Sequence, residues 1–328
     1  ETVVQKASKA AFIFWKYIDK FQYLKVSQIL GLFDTLVTPI LLYNCECWGP
    51  YVSDFLLERT IEVFHRKQLK RILAVGEKCP NAAIYLELGR LPLKFLIKLR
   101  VFQYVLQMRV VPEKKICWET FKHMMSFENT YKDFIQKIFS DLELNVDVFM
   151  SDFFEHTYGE KKHDALLFKA KTTWMFQLTI EIQNEAIQNK KMEFYTKITE
   201  HVPFGFKYYL DKISGRKARS YLTRMRCGSY RLNIEIGRWK KIDHEMRFCR
   251  FCDSRKIENE HHVIMECEGF KEERDGFFDD MCSIIPNFKN MDQQEQLRLI
   301  FLDSLEIPFK TKDFIAKISE KVNRKYSM

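Results

Sequence analysis

The sequence predicts a mostly α protein, on three observations. Phenylalanine occurs 29 times in 328 residues, whereas glycine occurs 11 times and proline 8, too few turn formers for a sandwich or a barrel. Apolar residues recur at three- and four-residue spacings along most of the chain, the repeat of one helix face. No run reaches the roughly 18 uninterrupted apolar residues of a membrane span, since even "ILGLFDTLVTPILLY" contains Asp34 and Pro39. A soluble chain with an apolar content of 46% can bury a sizeable core, and its length suggests two or three domains.

In chain order, Val3, Ala7, Ala10, Ala11, Phe14 and Ile18 mark the inner face of a first helix. A second is expected from Ser27 to about Tyr43, bent near Pro39. Asp54 is placed to cap a third, with Leu57, Ile61, Phe64, His65, Leu69 and Ile72 facing inward and Gly76 ending it. A short helix near Ala82 to Leu88 is stopped by Gly89, and Pro92 can start a longer one through Leu106. Residues 111 to 160 read as two or three shorter helices with loops at "VVPEKK" and "TYGEKK". From His163 to about Thr199 the pattern is again helical, with Leu166, Ala170, Trp174, Leu178 and Ile182 on one side. A final helix is expected near Lys312 to Lys325. No internal repeat or low-complexity segment is found.

The formal net charge of +9 is unevenly placed. Between Asp211 and Lys241 stand ten cations (Lys212, Arg216, Lys217, Arg219, Arg224, Arg226, Arg231, Arg238, Lys240 and Lys241) against two acids. Tyr221, Tyr230 and Trp239 are interleaved with them. Cations neutralise phosphates and exposed aromatic faces stack on unpaired bases, so this composition suits a single-strand or RNA contact surface. The plain alternative is a solvated basic face with its aromatics in the core. A second cationic edge, Arg59, Arg66, Lys67, Lys70 and Arg71, lies on the outer face of the third helix.

The stretch "CRFCDSRKIENEHHVIMEC" holds Cys249-x2-Cys252, then nine residues, then His262-x4-Cys267. Three sulfurs and a nitrogen suit tetrahedral Zn²⁺, and four protein ligands imply a structural rather than a catalytic site. His262 is favoured over His261 because its spacing to Cys267 repeats that of a retroviral zinc knuckle. The other cysteines, of nine in all, show no pairing pattern, as expected in a reducing compartment. No charged-then-apolar signal segment follows Glu1, so a secretory route is not expected and the chain reads as part of something longer. "GFFDD", with Asp279 and Asp280, matches the paired-carboxylate pattern of polymerases. A two-metal centre needs a third carboxylate and a β-hairpin to present the pair. Here the aspartates continue the charge run "KEERDGFFDD", which reads as the wet face of a helix.

At "FDTLVTPILLYNCECWGP" the chain resembles the segment following the catalytic palm of non-LTR (LINE-type) retrotransposon reverse transcriptases. The matching positions are Phe33, Asp34, Pro39, Leu42, Tyr43, Glu46, Trp48 and Gly49, with Asn44 and Cys45 where small residues usually stand. "ASKAAFIFWKYIDKF" is similar to the alanine-rich helix that opens this region. "NAAIYLELGRLPL" and "RMRCGSYRLNIEIGRW" resemble two later blocks, and "CRFC…ENEHHVIMEC", with Glu260 and His262, the family's C-terminal Cys-Cys-His-Cys element. These blocks keep the family's order over most of residues 1 to 275, while about 110 to 195 and the tail after 280 match little.

The resemblance implies a thumb-like helical bundle (1–110), a helical middle region (111–210) and a basic, CCHC zinc-binding C-terminal module (211–328). It implies a piece of an RNA-templated polymerase that copies its transcript at a nicked chromosomal target. The family's catalytic aspartates precede the matched segment, so no catalytic centre is expected here. The expected role is to bind template RNA, target DNA or both and to position template and primer, with a palm and fingers from upstream as the partner the resemblance suggests. On this reading the third-helix cations grip the template-primer duplex, Trp239 joins the basic stretch as a contact, and the location is nuclear. No membrane partner is expected. The alternative is a host protein derived from such an element and used as an interaction or structural module.

Overall fold

The computed structural model describes residues 2–21, 23–110, 115–151, 160–199, 201–304 and 306–326. Among them the regular structure is helical. The sole β pairings are isolated bridges, Leu88 with Phe206 and Phe248 with Ile257. Most of "VVPEKK" and the first half of "TYGEKK" lie outside the described residues.

The helices follow the expected periodicity, with local differences at their ends. Val26–Leu36 stops before Pro39, which instead sits in the first turn of Thr38–Leu41, because a proline ring cannot lie within an uninterrupted helix. The third helix begins at Asp54, but its cap is Ser53, whose Oγ accepts from the Leu56 N–H (3.3 Å). That helix continues through a wide turn, Glu58–Glu62, into Val63–Leu73. It ends at Ala74 rather than Gly76: Ala74 takes a left-handed φ of 56° and the Val75 N–H reaches back to the Lys70 carbonyl. The segment after residue 110 forms Lys115–Met125, Thr130–Asp141 and Val146–Met150, the last two capped by Asn129 and Asn145. Glu160–Gln188 buries Leu166, Ala170, Trp174, Leu178 and Ile182, as their spacing requires. No single helix among the described residues is long and apolar enough to cross a membrane.

The chain divides into two compact units, each assembled from three separate segments. The first comprises 1–12, 35–65 and 91–181. Its core is aromatic. Phe102 meets Phe139 and Trp174 edge-on at 5.7 and 5.8 Å, Phe139 meets Phe149 at 4.8 Å, and Trp118 meets Phe149 at 5.8 Å.

The second unit comprises 13–34, 66–90 and 182–328. The helix Asn81–Leu88 is buried from Ala82 to Leu88, charge included. Burying a carboxylate is costly unless it is paired and hydrogen-bonded, and Glu87 is both. Its Oε1 takes Nε and Nη2 of Arg226, each at 3.0 Å, and its Oε2 takes the Tyr209 hydroxyl at 2.5 Å. Arg226 also donates to the Phe301 carbonyl (2.8 Å). Both Asn81–Leu88 and Arg216–Arg226 end on a left-handed glycine, Gly89 and Gly228, each with φ of 58°. A Cβ would stand 2.4 Å from the Phe206 nitrogen at Gly89 and 2.6 Å from the Lys191 oxygen at Gly228. Three further helices, Lys271–Ile284, Gln293–Ile300 and Ile307–Tyr326, close the chain, with Phe277 stacked on Phe314 at 4.4 Å. The aspartates of "GFFDD" lie on Lys271–Ile284, where Asp279 pairs with Lys289 and Asp280 with Lys310.

Candidate metal centre and its basic neighbours

Two short backbone devices bring four ligands together. The chain reverses between Cys249 and Lys256, with the Cys249 N–H on the Lys256 carbonyl (2.8 Å) and Arg255 in the left-handed region (φ 54°). The Phe251 N–H points at the Cys249 sulfur (3.4 Å). Beyond it, Asn259 Oδ1 accepts from the His262 N–H (2.8 Å) and opens one wide helical turn, His262–Glu266. That turn closes with the Cys267 N–H on the His262 carbonyl (2.8 Å), so His262 and Cys267 stand at its two ends.

The ligand atoms of Cys249, Cys252, His262 and Cys267 lie within 4.8 Å of one another and could hold a metal ion. Cys249 and Cys267 sulfurs are 3.6 Å apart, and the Cys252 sulfur is 3.4 Å from His262 Nε2. His262, not His261, faces the cluster. The other His262 nitrogen, Nδ1, lies 3.2 Å from Glu266 Oε2, which also takes Lys256 Nζ at 3.0 Å. His261 sits at the edge, 3.7 Å from Glu266 Oε1. Electrostatics follow the geometry. The hydrogen bond from Cys267 holds the Cys249 thiol well below the ordinary thiol range and pushes Cys267 above it. Hydrogen bonding to Cys249 and then to Glu266 outweighs burial and raises His262 to about 9.

The surroundings clamp this loop. Glu258, fully buried, accepts from the Asn233 and Arg250 N–H groups (2.9 and 3.0 Å) and pairs with the Arg250 guanidinium. Arg274 donates to the Cys267 carbonyl (2.9 Å) and Lys321 to the Gly269 carbonyl (2.9 Å), while Lys325 reaches the Arg250 carbonyl.

The basic stretch divides into inward and outward cations. Arg219 and Arg226 are buried, the first on the Ile213 carbonyl (3.1 Å), the second on Glu87. Both face the core rather than solvent, because the amphipathic period of Arg216–Arg226 turns them inward. Tyr230 is likewise buried, its hydroxyl on Ser319. Arg224 is half-buried and donates to the Ala74 carbonyl (2.8 Å), and Arg238 pairs with Glu235 (2.8 Å). Arg216, exposed, pairs with Asp19 (3.0 Å). Lys212, Lys217, Arg231, Trp239, Lys240 and Lys241 are exposed. Of the third-helix cations, Arg59 lies exposed in the first unit. In the second, Arg66 is half-buried, Lys67 pairs with Glu77 (3.9 Å), Lys70 donates to the Glu77 carbonyl (2.8 Å) and Arg71 pairs with Asp19 (2.8 Å).

Sequence reasoning missed Glu266 and Glu258, which orient a ligand and its loop. The i,i+4 spacing of His262 and Glu266 on one turn was the available signal. No family model, curated protein or solved structure matches this chain.

Proposed function

We propose that this chain is a zinc-stabilised nucleic-acid-binding region of the kind that follows the palm in non-LTR reverse transcriptases. On this reading residues 1–110 supply the thumb, and the CCHC module holds basic segments against template RNA or target DNA, positioning template and primer rather than reacting with them. The observation that carries the reading is the convergence of Cys249, Cys252, His262 and Cys267 within the segment most similar to that family's C-terminal element. A tetrahedral Zn²⁺ with bonds of about 2.3 Å to sulfur and 2.0 to 2.1 Å to nitrogen has S···S edges of about 3.8 Å and S···N edges of about 3.6 Å. The separations of 3.6 and 3.4 Å are close to these. Glu266 behind His262 is the carboxylate partner that commonly fixes a metal-bound imidazole.

Beside the module, Lys217, Arg231, Trp239, Lys240 and Lys241 remain exposed, a set able to meet phosphates and stack a base. The inward turn of Arg219 and Arg226 favours the second reading, a derived structural or interaction module in which the basic stretch serves the core. Metal analysis together with gel shifts on RNA and single-stranded DNA at several salt concentrations separates the two. The first reading expects one zinc per chain and a log-affinity against log-salt slope of about −3 to −4, for four or so phosphate contacts. Zinc with no shift at any salt leaves only the second.

A further inference from the structure

We propose that the surface centred on Asp19 binds a short single-stranded stretch of nucleic acid, with phosphates on Arg71, Arg216 and Lys20 and bases on Tyr17, Phe21 and Tyr23. This rests on the nucleic-acid reading above and assigns it a contact surface in which Lys20 and the three rings are new. All of these residues belong to the second unit.

Charge comes first. Residues 13–25, 66–71 and 216–217 carry nine lysines and arginines and a single acid, Asp19. That acid is bracketed, with Oδ2 on Arg71 Nη2 (2.8 Å) and Oδ1 on Arg216 Nη1 (3.0 Å). The bracket fixes both guanidiniums. Arg71 lies 4.2 Å above the Trp15 ring and Arg216 5.6 Å from it, and Arg216 Nη2 donates to the Arg71 carbonyl (2.9 Å). Trp15 is itself held by Gln68 (2.7 Å). Yet the two arginine side chains stay 46% and 43% exposed. Arginines already ordered by stacking and pairing lose little rotamer freedom when they take up a phosphate.

The rings supply the second half. Tyr17, Phe21 and Tyr23 are 57%, 60% and 84% exposed, and Lys20 Nζ lies 5.6 Å from the Tyr17 ring centre. Tyr17 ends the outward face of Val3–Ile18, and Phe21 follows within one turn, its N–H on the Ile18 carbonyl (3.0 Å). Exposed rings set among cations are what stacking on unpaired bases requires. A duplex keeps its base faces hidden and would leave them unused. An interfacial membrane helix instead separates an apolar face from a cationic one, whereas here the two kinds of side chain alternate.

Fluorescence anisotropy on the full chain tests this, with labelled oligouridylate and a blunt duplex of equal length. Tyr17→Ala with Phe21→Ala should weaken oligouridylate binding about tenfold or more, since each stacked base contributes substantially, and leave duplex binding and the thermal melt unchanged. Lys240→Glu with Lys241→Glu serves as the comparison at the other surface. Should the ring variant bind oligouridylate as tightly as the natural chain, this surface is excluded while the wider reading stands. Should the natural chain bind neither probe, both fall. Loss of binding to phosphatidylserine vesicles with oligouridylate binding intact would overturn the proposal in favour of a membrane surface.

Discussion

The core of the first unit is mainly aromatic rings packed against one another, with Glu62 and Arg109 among its few buried charges, whereas the second buries more charges and answers several of them with specific partners. In the first, Phe102 meets Phe139 and Trp174 edge-on and Phe139 meets Phe149 at a tilt, ring contacts that need no specific polar partner. In the second, Glu87 requires Arg226 and Tyr209, Glu235 takes Lys191 and Arg238, Glu258 takes Arg250, and four ligand side chains converge. Apolar packing accepts residues of similar volume, but a buried charge must be answered group by group. In the second unit "LELG" supplies Glu87 and Gly89, "RMRCGS" supplies Arg226 and Gly228, and "IEIGRW" supplies Glu235. Gly49 is the first unit's own case of a tight position, because a Cβ there would stand 2.7 Å from the Ile97 Cγ2 methyl and one of the two would have to shift.

The largest test of this contrast is to remove the metal. A structural zinc site contributes roughly 10 to 16 kcal/mol of apparent binding free energy to local folding. Chelation or Cys252→Ser should therefore abolish hydrogen-exchange protection over residues 245 to 275 and leave Leu93–Val110 protected. Acid should do the same. The side chains would bind metal only with their thiols deprotonated and His262 neutral, so protons compete with the metal and the stability it supplies should weaken as pH falls. Undiminished protection in chelator would break the comparison.

Next in size is the buried pair. Arg226→Ala strands Glu87 and should cost about 3 to 5 kcal/mol in urea unfolding, while Glu87→Leu with Arg226→Met should recover most of it. A single-variant cost under about 1 kcal/mol would mean that Glu87 finds water or another donor. Smallest is Ile138→Leu in the first unit, fully buried yet volume-conserving, with an expected cost under about 1.5 kcal/mol. A larger loss there would show that the first unit is as exacting as the second.

Periodicity made most helices legible, because burial of Leu57, Ile61, His65, Leu69 and Ile72, or of Leu166 through Ile182, leaves its spacing in the chain. The Cys/His cluster was legible for a related reason: cysteine and histidine at short fixed intervals have few uses other than metal binding. What was not legible depended on distant partners. Arg219 and Arg226 share a helix face with Leu222 and Met225, but arginine is usually a surface residue, and Glu87, which answers Arg226, lies far away in sequence. Ser53 in place of Asp54, and Ala74 in place of Gly76, are end effects of a residue or two, where side-chain preference is a weak guide.

The last helix, Ile307–Tyr326, reaches back to the ligand loop through Lys321 and Lys325. Excised alone, residues 245 to 275 would keep every sulfur and imidazole but lose the two ammonium fingers that hold the carbonyls of Gly269 and Arg250. A minimal peptide would then bind its ion with a looser grip than the intact chain, and truncation from the far end would be felt at a knot more than fifty residues away.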